Sequence, residues 1–295
     1  MNLLLLGNTG QLGWELQRTL QPLGVVAAFD YPEVDLADAA SLRKKVQEYQ
    51  PDVIVNATAY TAVDKAESEP ELAEAINGRA PGVLAEEARK QQAVLIHYST
   101  DYVFDGKKAV PYIETDLPNP LNVYGESKHH GEQAVRQVGG DYLILRTSWV
   151  YAQRASAGWH RQAGFVNKVL EWSRQPDTLR MVTDQVGNPT WSRMLAEITA
   201  QLLARGDAPI REHTGLYHLA GSGWASRYDW AKLILELDPE KSQQILKEIR
   251  PALTADFPTP AQRPLFSALD CTHFFETFRL QLPDWKAALR LALQV

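Results

Sequence analysis

Five short apolar runs, at residues 3–6, 25–29, 53–55, 93–98 and 142–145, constrain this chain more than any other feature. Each ends in small or polar residues, and none alternates apolar with polar. That is the pattern of strands buried on both faces. Between the runs the period turns helical. Leu12, Leu16, Leu20 and Leu23 follow the first run, with Gly24 placed to stop the helix. Asp38 is placed to cap a helix carrying Leu42, Val46 and Tyr49, with Pro51 beyond its end. Residues 70–91 read as a helix interrupted at Gly78, Pro81 and Gly82. Strand and helix alternating at this pace predict an α/β fold, a Rossmann-type doubly wound parallel sheet. The second half is less regular. Helices are expected over 165–173, 194–203, 227–237 and 283–293, short strands over 179–183 and 216–219, and loops over 154–164 and 256–260. The division expected is a dinucleotide-binding domain over 1–150 and a smaller, mainly substrate-binding α/β subdomain over 151–295. Chain near 180–222 is expected to return to the sheet.

In such sheets ligands collect at the carboxyl ends of the strands. The first run ends in Gly7-Asn8-Thr9-Gly10-Gln11-Leu12-Gly13, a glycine-punctuated strand-to-helix turn. Bare amides and a helix N-terminus meet a phosphate in this geometry, although glycine-rich turns also arise for steric reasons. Asp30 ends the second run, about 20 positions beyond the first glycine, where a carboxylate binds a ribose hydroxyl or merely closes a turn. Asn56-Ala57-Thr58-Ala59 follows the third run, Ser99-Thr100-Asp101 the fourth and Arg146-Thr147-Ser148-Trp149 the fifth. Gly7, Asp30, Thr58, Thr100 and Trp149 therefore fall along one edge.

Tyr124 and Lys128 are one helical turn apart and share a side, with Asn119-Pro120 as the expected helix start. A phenol titrates near ~10, and a nearby cation favours the phenolate, so this spacing suits proton exchange with a substrate oxygen. A surface lysine beside a half-buried tyrosine is the plainer reading of the pair alone; the strand ends give it weight. A net charge of −6 weighs against a nucleic-acid partner. Cys271 is the sole cysteine, which excludes an internal disulfide or a multi-cysteine metal site and fits a reducing cytosol. No stretch reaches the ~20 apolar residues of a membrane helix, and the run at 3–6 is too short for a secretory signal core. His97 lies in a strand run and reads as packed; His129 and His130 face solvent or pack. Tyr98 and Tyr102 read as core or cofactor-wall residues, and Trp159 and His160 lie in a loop that is either a surface excursion or a lid.

Longer strings carry a resemblance: Thr61-Ala62-Val63-Asp64-Lys65-Ala66-Glu67, Ser99-Thr100-Asp101-Tyr102-Val103-Phe104-Asp105-Gly106, Pro120 to Lys128, Arg146 to Tyr151, Asp184-Gln185, Gly187-Asn188-Pro189-Thr190 and Arg263-Pro264. On these the chain resembles the extended short-chain dehydrogenase/reductase superfamily, and within it the dTDP-4-dehydrorhamnose reductase family. The resemblance implies a soluble cytoplasmic enzyme. NADPH or NADH would reduce the C4 ketone of dTDP-4-dehydro-L-rhamnose to dTDP-L-rhamnose, for cell-surface polysaccharide synthesis. It implies Tyr124 as proton donor, Lys128 on the nicotinamide ribose and Thr100 in place of the superfamily serine. Gly7, Thr9, Gly10, Gln11 and Leu12 would cradle the pyrophosphate and Asp30 the adenosine ribose. Asp35 and Leu36 also fall to the cofactor, and Thr58, Ala59 and Tyr60 would line its middle. Val63, Thr100, Asp101, Tyr124 and Trp149 would face the sugar nucleotide.

Some relatives bind Mg²⁺ through glutamates at a dimer interface. Glu15 matches one, but Trp191-Ser192-Arg193 stands where another is sought, so no metal and no Mg²⁺-mediated dimer is expected; a homodimer stays open. Asp30 should repel a 2′-phosphate, which favours NADH, although the family often tolerates both cofactors. The other readings are a sugar-nucleotide epimerase or dehydratase and a non-catalytic, cofactor-loaded regulatory subunit, against which the intact Thr100, Tyr124 and Lys128 weigh.

Overall fold

The computed structural model describes residues 1–152 and 164–294. Five parallel strands, β1 (Asn2–Leu6), β2 (Val25–Phe29), β3 (Val53–Asn56), β4 (Val94–Thr100) and β5 (Tyr142–Thr147), form the sheet together with a late strand, Gly215–His218. The spatial order is β2-β1-β3-β4-β5 and then Gly215–His218, every neighbouring pair parallel. The strand order reverses between β1 and β3. That switch point opens the crevice in which such sheets bind ligands.

The absence of alternation in the strand sequences has a simple cause. Leu3 and Leu5 pack on one face with Leu12 and Leu16 of α1 (Gln11–Thr19), and with Leu195 and Leu202 of helix Ser192–Leu203. Leu4 and Leu6 pack on the other with Leu42 and Val46 of α2 (Ala39–Tyr49), and with Leu84 of helix Ala80–Gln91. Both faces are covered, so both sets must be apolar. A third core gathers the late segments around Trp230, with Tyr151, Val166, Trp191, Ile234, Trp285 and Leu289. There Thr178–Val182 pairs in parallel with Glu248–Ala252, and Asp284 caps helix Trp285–Leu293 through Lys286 N at 3.0 Å and Ala287 N at 3.2 Å.

Three elements depart from expectation. First, α1 ends at Thr19, and Leu23 falls in a separate 3-10 turn, Gln21–Leu23, because Pro22 cannot extend the helix. Second, the 70–91 segment is a helix, Pro70–Ala73, a π segment, Glu74–Arg79, and a second helix, Ala80–Gln91. Pro81 offers no N–H to the preceding turn, and the chain widens just upstream of it. Third, the tyrosine helix runs Val123–Val138 with Asn122 as its N-cap, accepting from Gly125 N at 2.8 Å. Asn119-Pro120 does not start it; Asn119 instead donates to Asp105 at 3.1 Å in the preceding loop. The loop expected at 154–164 lies outside the described residues except for Gly164, which precedes helix Phe165–Ser173. Among the described residues no helix is long and apolar enough to cross a membrane.

Candidate active site

The glycine turn is built to bring backbone close to backbone. Gly7 sits at φ +90°, and a Cβ there would fall 2.9 Å from Thr58 Cγ2 and 3.0 Å from the Ala57 carbonyl, across the switch point. A Cβ on Gly13 would lie 1.9 Å from Gly7 O. Glycine is therefore required at both places by contact, and at Gly7 by conformation as well. Gly10 is the N-cap of α1 and carries no capping side chain, so the first-turn amides stay open to an anion. Asn8 Oδ1 and Gln11 Oε1 are buried at the turn with no donor among the described residues. Asp30 reaches this turn: one carboxylate oxygen accepts from Thr9 N at 3.3 Å and from the Thr9 hydroxyl, the other from Tyr31 N at 2.8 Å. The open amides, the glycine cradle and the unpartnered oxygens fit a dinucleotide. Leu12 and Leu36 are core residues, so only their backbones can meet a ligand. Asp35 is exposed and accepts from Ala37 N at 2.9 Å.

Farther along the edge, Asn77, which sequence reasoning missed, clamps the Tyr60 backbone. Its Oδ1 accepts from Tyr60 N at 2.8 Å and its Nδ2 donates to Tyr60 O at 3.2 Å and to Ser127 Oγ at 3.1 Å. The Tyr60 hydroxyl donates to Glu69 at 2.6 Å; burial and that carboxylate push the phenol up to about 12.

Two glycines let the tyrosine helix lie flush on its neighbours. A Cβ on Gly125 would fall 2.2 Å from Tyr102 O, and one on Gly131 2.1 Å from Asn77 O. The Tyr124 ring stands edge-on to Tyr102 with centroids 5.6 Å apart. Desolvation raises the Tyr124 phenol above its ordinary value, and hydrogen bonding with the Thr100 hydroxyl pulls the other way. The expected acidification by Lys128 is not what the geometry gives. Lys128 Nζ donates to Tyr98 O at 2.7 Å and lies 3.5 Å from His97 Nε2. Lys128 is 2% exposed, and burial draws its pKa down to about 8 against the opposing pull of Glu132. Tyr124 therefore rests as a neutral phenol, the form a proton donor needs.

Asp101 is 2% exposed and surrounded by hydroxyls: Ser148 at 3.0 Å, Ser267 at 2.5 Å and Thr100 at 3.2 Å. Burial pushes its carboxyl up to about 6, against those hydrogen bonds and the charge of Arg227. Trp149 takes φ +42°, rare for a bulky residue and typical of functional turns. Its ring stacks on Trp230 at 5.6 Å, and the Arg227 guanidinium lies over it at 3.6 Å. A Cβ on Gly187 would meet that ring at 2.6 Å. Val63 opens the short helix Val63–Ala66, whose Asp64 holds Arg263 through two bonds of 3.1 and 2.7 Å. Sequence reasoning gave Arg227 only a place on a helix, since nothing local says that it stacks on Trp149.

The Asp101 carboxyl makes a signed prediction. Its pKa is higher folded than unfolded, so the folded chain holds the proton more tightly. That stabilisation is present at low pH and is lost as pH rises from about 4 to about 6. Asp101→Asn is expected to raise stability at pH 7 by on the order of 1 kcal/mol, measured by denaturant unfolding at pH 4 and pH 7. A gain as large at pH 4 as at pH 7 contradicts the account.

Comparison with known proteins places this architecture. The family model described as RmlD substrate binding domain matches residues 1–295. The chain belongs to that family. The RmlD family relatives include a dTDP-4-dehydrorhamnose reductase of Escherichia coli (strain K12), 42% identical over 298 residues, covering 99% of this chain and 97% of that protein. A crystal structure of a dTDP-4-dehydrorhamnose reductase from Clostridium acetobutylicum superposes with a TM-score of 0.89 at 33% identity, covering 100% and 99% of the two chains. One from Bacillus anthracis in complex with NADP gives 0.87 at 30% identity, covering 99% and 98%. Glu15 faces Arg18 at 3.9 Å, and Arg193 faces Glu197 at 3.8 Å.

Proposed function

We infer that this chain is an NAD(P)H-dependent reductase that converts the C4 ketone of dTDP-4-dehydro-L-rhamnose to the alcohol of dTDP-L-rhamnose. The observation that carries the reading is the full-length match to reductases of that name, supported by the Tyr124 hydroxyl beside that of Thr100, with Lys128 one helical turn on. When bound, the dihydronicotinamide supplies the hydride. As negative charge grows on the C4 oxygen, the Tyr124 hydroxyl gives it a proton and the Thr100 hydroxyl donates a hydrogen bond, both preplaced. Lys128 holds the nicotinamide ribose. The glycine turn with Gln11 and Leu12 holds the pyrophosphate, and Asp30, with Asp35 and Leu36 nearby, holds the adenosine end. Thr58, Ala59 and Tyr60 line the middle, while Val63, Asp101 and Trp149 face the sugar nucleotide. In this reading 1–150 serves the dinucleotide and 151–295 mainly the sugar.

The test is an assay in which purified chain oxidises NAD(P)H only when dTDP-4-dehydro-L-rhamnose is supplied by upstream enzymes. A keto-sugar altered without any reductant would instead mean an epimerase or dehydratase. No oxidation, with cofactor still bound, would mean a binding subunit.

Cofactor choice gives a separate prediction. The Asp30 carboxylate stands at the end of β2, beside Thr9. It opposes a 2′-phosphate through solvent-exposed charge, a modest effect. Asp30→Ala is expected to shift the ratio of kcat/KM toward NADPH by about tenfold, about 1.4 kcal/mol. An unchanged ratio places Asp30 away from the 2′ position.

A further inference from the structure

The mechanism uses Lys128 but not the buried polar chain behind it. His97 is 0% exposed and Asn56 1%. The roles in this chain can be assigned from one end. Thr58 N is a backbone donor, and it donates to Asn56 Oδ1 at 3.1 Å; the Thr58 hydroxyl adds a second bond at 2.5 Å. Asn56 is thereby oriented, with its amide nitrogen toward His97 Nδ1 at 3.1 Å. An amide nitrogen only donates, so Nδ1 must accept. A neutral imidazole whose Nδ1 accepts carries its proton on Nε2. Nε2 lies 3.5 Å from Lys128 Nζ, whose other bond goes to Tyr98 O. A donor therefore faces an ammonium, which has no lone pair to offer, whereas a neutral amine has one.

We propose that His97 is a positioning residue for the reaction: in the tautomer imposed by Asn56, its Nε2–H faces Lys128 Nζ and favours the amine over the ammonium. The proposal rests on the reading of Lys128 as the group beside Tyr124 and the cofactor ribose. After Tyr124 gives its proton to the alkoxide, the phenolate must be refilled. Lys128 turns to Tyr98 O and His97 and not to the phenol, so the proton returns from solvent, and Lys128 acts on that step through its charge, which His97 weakens. Among the described residues the other charged group facing Lys128 is Glu132 on the same helix, which favours the ammonium. Glu132 is itself engaged by Arg146 of β5 at 2.8 and 2.6 Å, by Ser99 of β4 at 2.5 Å and by His129 at 3.4 Å. Burial and the Lys128 charge keep the His97 imidazole neutral.

The test has an arm in the unmodified protein. With ¹⁵N-labelled histidine, His97 is identified among the 7 histidines as the signal lost in His97→Leu. It should report the neutral Nε2–H tautomer from pH 6 to 9; an Nδ1–H tautomer or a cationic ring overturns the proposal. The second arm is the alkaline limb of kcat. Asn56→Asp supplies an acceptor that turns His97 to the Nδ1–H form and frees Nε2 for the ammonium, so the limb should move up by about one pH unit or more. His97→Leu should move it the same way. A limb unmoved in a folded variant overturns the proposal. Lys128→Met separates the two readings. If that variant keeps full turnover, the assignment of Lys128 fails; if it loses turnover while His97 shows the wrong tautomer, this inference alone fails.

Discussion

Tyr124→Phe is expected to lower kcat by about 10²–10⁴-fold, the range contributed by a positioned general acid. The substitution removes one oxygen and keeps the ring that packs edge-on against Tyr102 at 5.6 Å. Helix position should therefore survive, because it depends on Asn122 at the cap and on the close approach of Gly125 to Tyr102 O. The loss should appear in kcat and kcat/KM together, since a proton given to a developing alkoxide is worth nothing in the ground state. Cofactor affinity, read by quenching of protein fluorescence on NADPH addition, should change little. Turnover within a factor of two or three of the parent would remove Tyr124 from the chemistry, and with it the proposed role of Thr100. An equal loss of cofactor affinity would mean that the ring, and not the hydroxyl, is what matters.

How much of this site could be read in advance depended on the range of the interaction. The glycine turn was legible because its chemistry is local: a strand end, open amides and a helix start lie within seven residues. The convergence of strand ends followed from one rule about parallel sheets and placed Gly7, Thr58 and Thr100 on one edge. The start of the tyrosine helix was misread because Asn119 and Asn122 are equally good caps by composition. The choice is tertiary: Asn122 also donates to Gln262 O at 2.7 Å, a contact 140 residues away. Asn77 was illegible for a similar reason. Its clamp on Tyr60 needs the π segment Glu74–Arg79, which arises from Pro81 and from the passage of Gly131 against Asn77 O. The lysine was found by spacing, but spacing tells only that Lys128 and Tyr124 share a side. That its ammonium turns to Tyr98 O and His97 instead of the phenol depends on a strand 30 residues upstream.

The largest stability effect is expected one turn beyond Lys128. Arg146 on β5 is 2% exposed, and its guanidinium meets Glu132 through two parallel bonds, 2.8 Å from Nε and 2.6 Å from the terminal nitrogen. The pair holds the Glu132 carboxyl far below the usual carboxylate range despite its burial. A carboxyl depressed in the folded state contributes stability above its unfolded pKa, near ~4, and loses it only in strong acid, as pH falls through the folded value. Glu132→Leu leaves the guanidinium buried and unpaired, which costs about 3–5 kcal/mol. Much of the chain's net stability, about 5–15 kcal/mol for a native protein, would go with it. Arg146→Met alone should cost a comparable amount by stranding the carboxylate. The double variant Glu132→Leu with Arg146→Met removes both charges at once and should recover most of the loss, since the desolvation of each ion is then avoided. Urea unfolding of the three variants reads this directly. If the two single losses add in the double variant, the charges are not paired in any energetic sense. Removing Glu132 also takes away the one charge among the described residues that favours the Lys128 ammonium, so the alkaline limb of kcat in the double variant should fall below that of the parent.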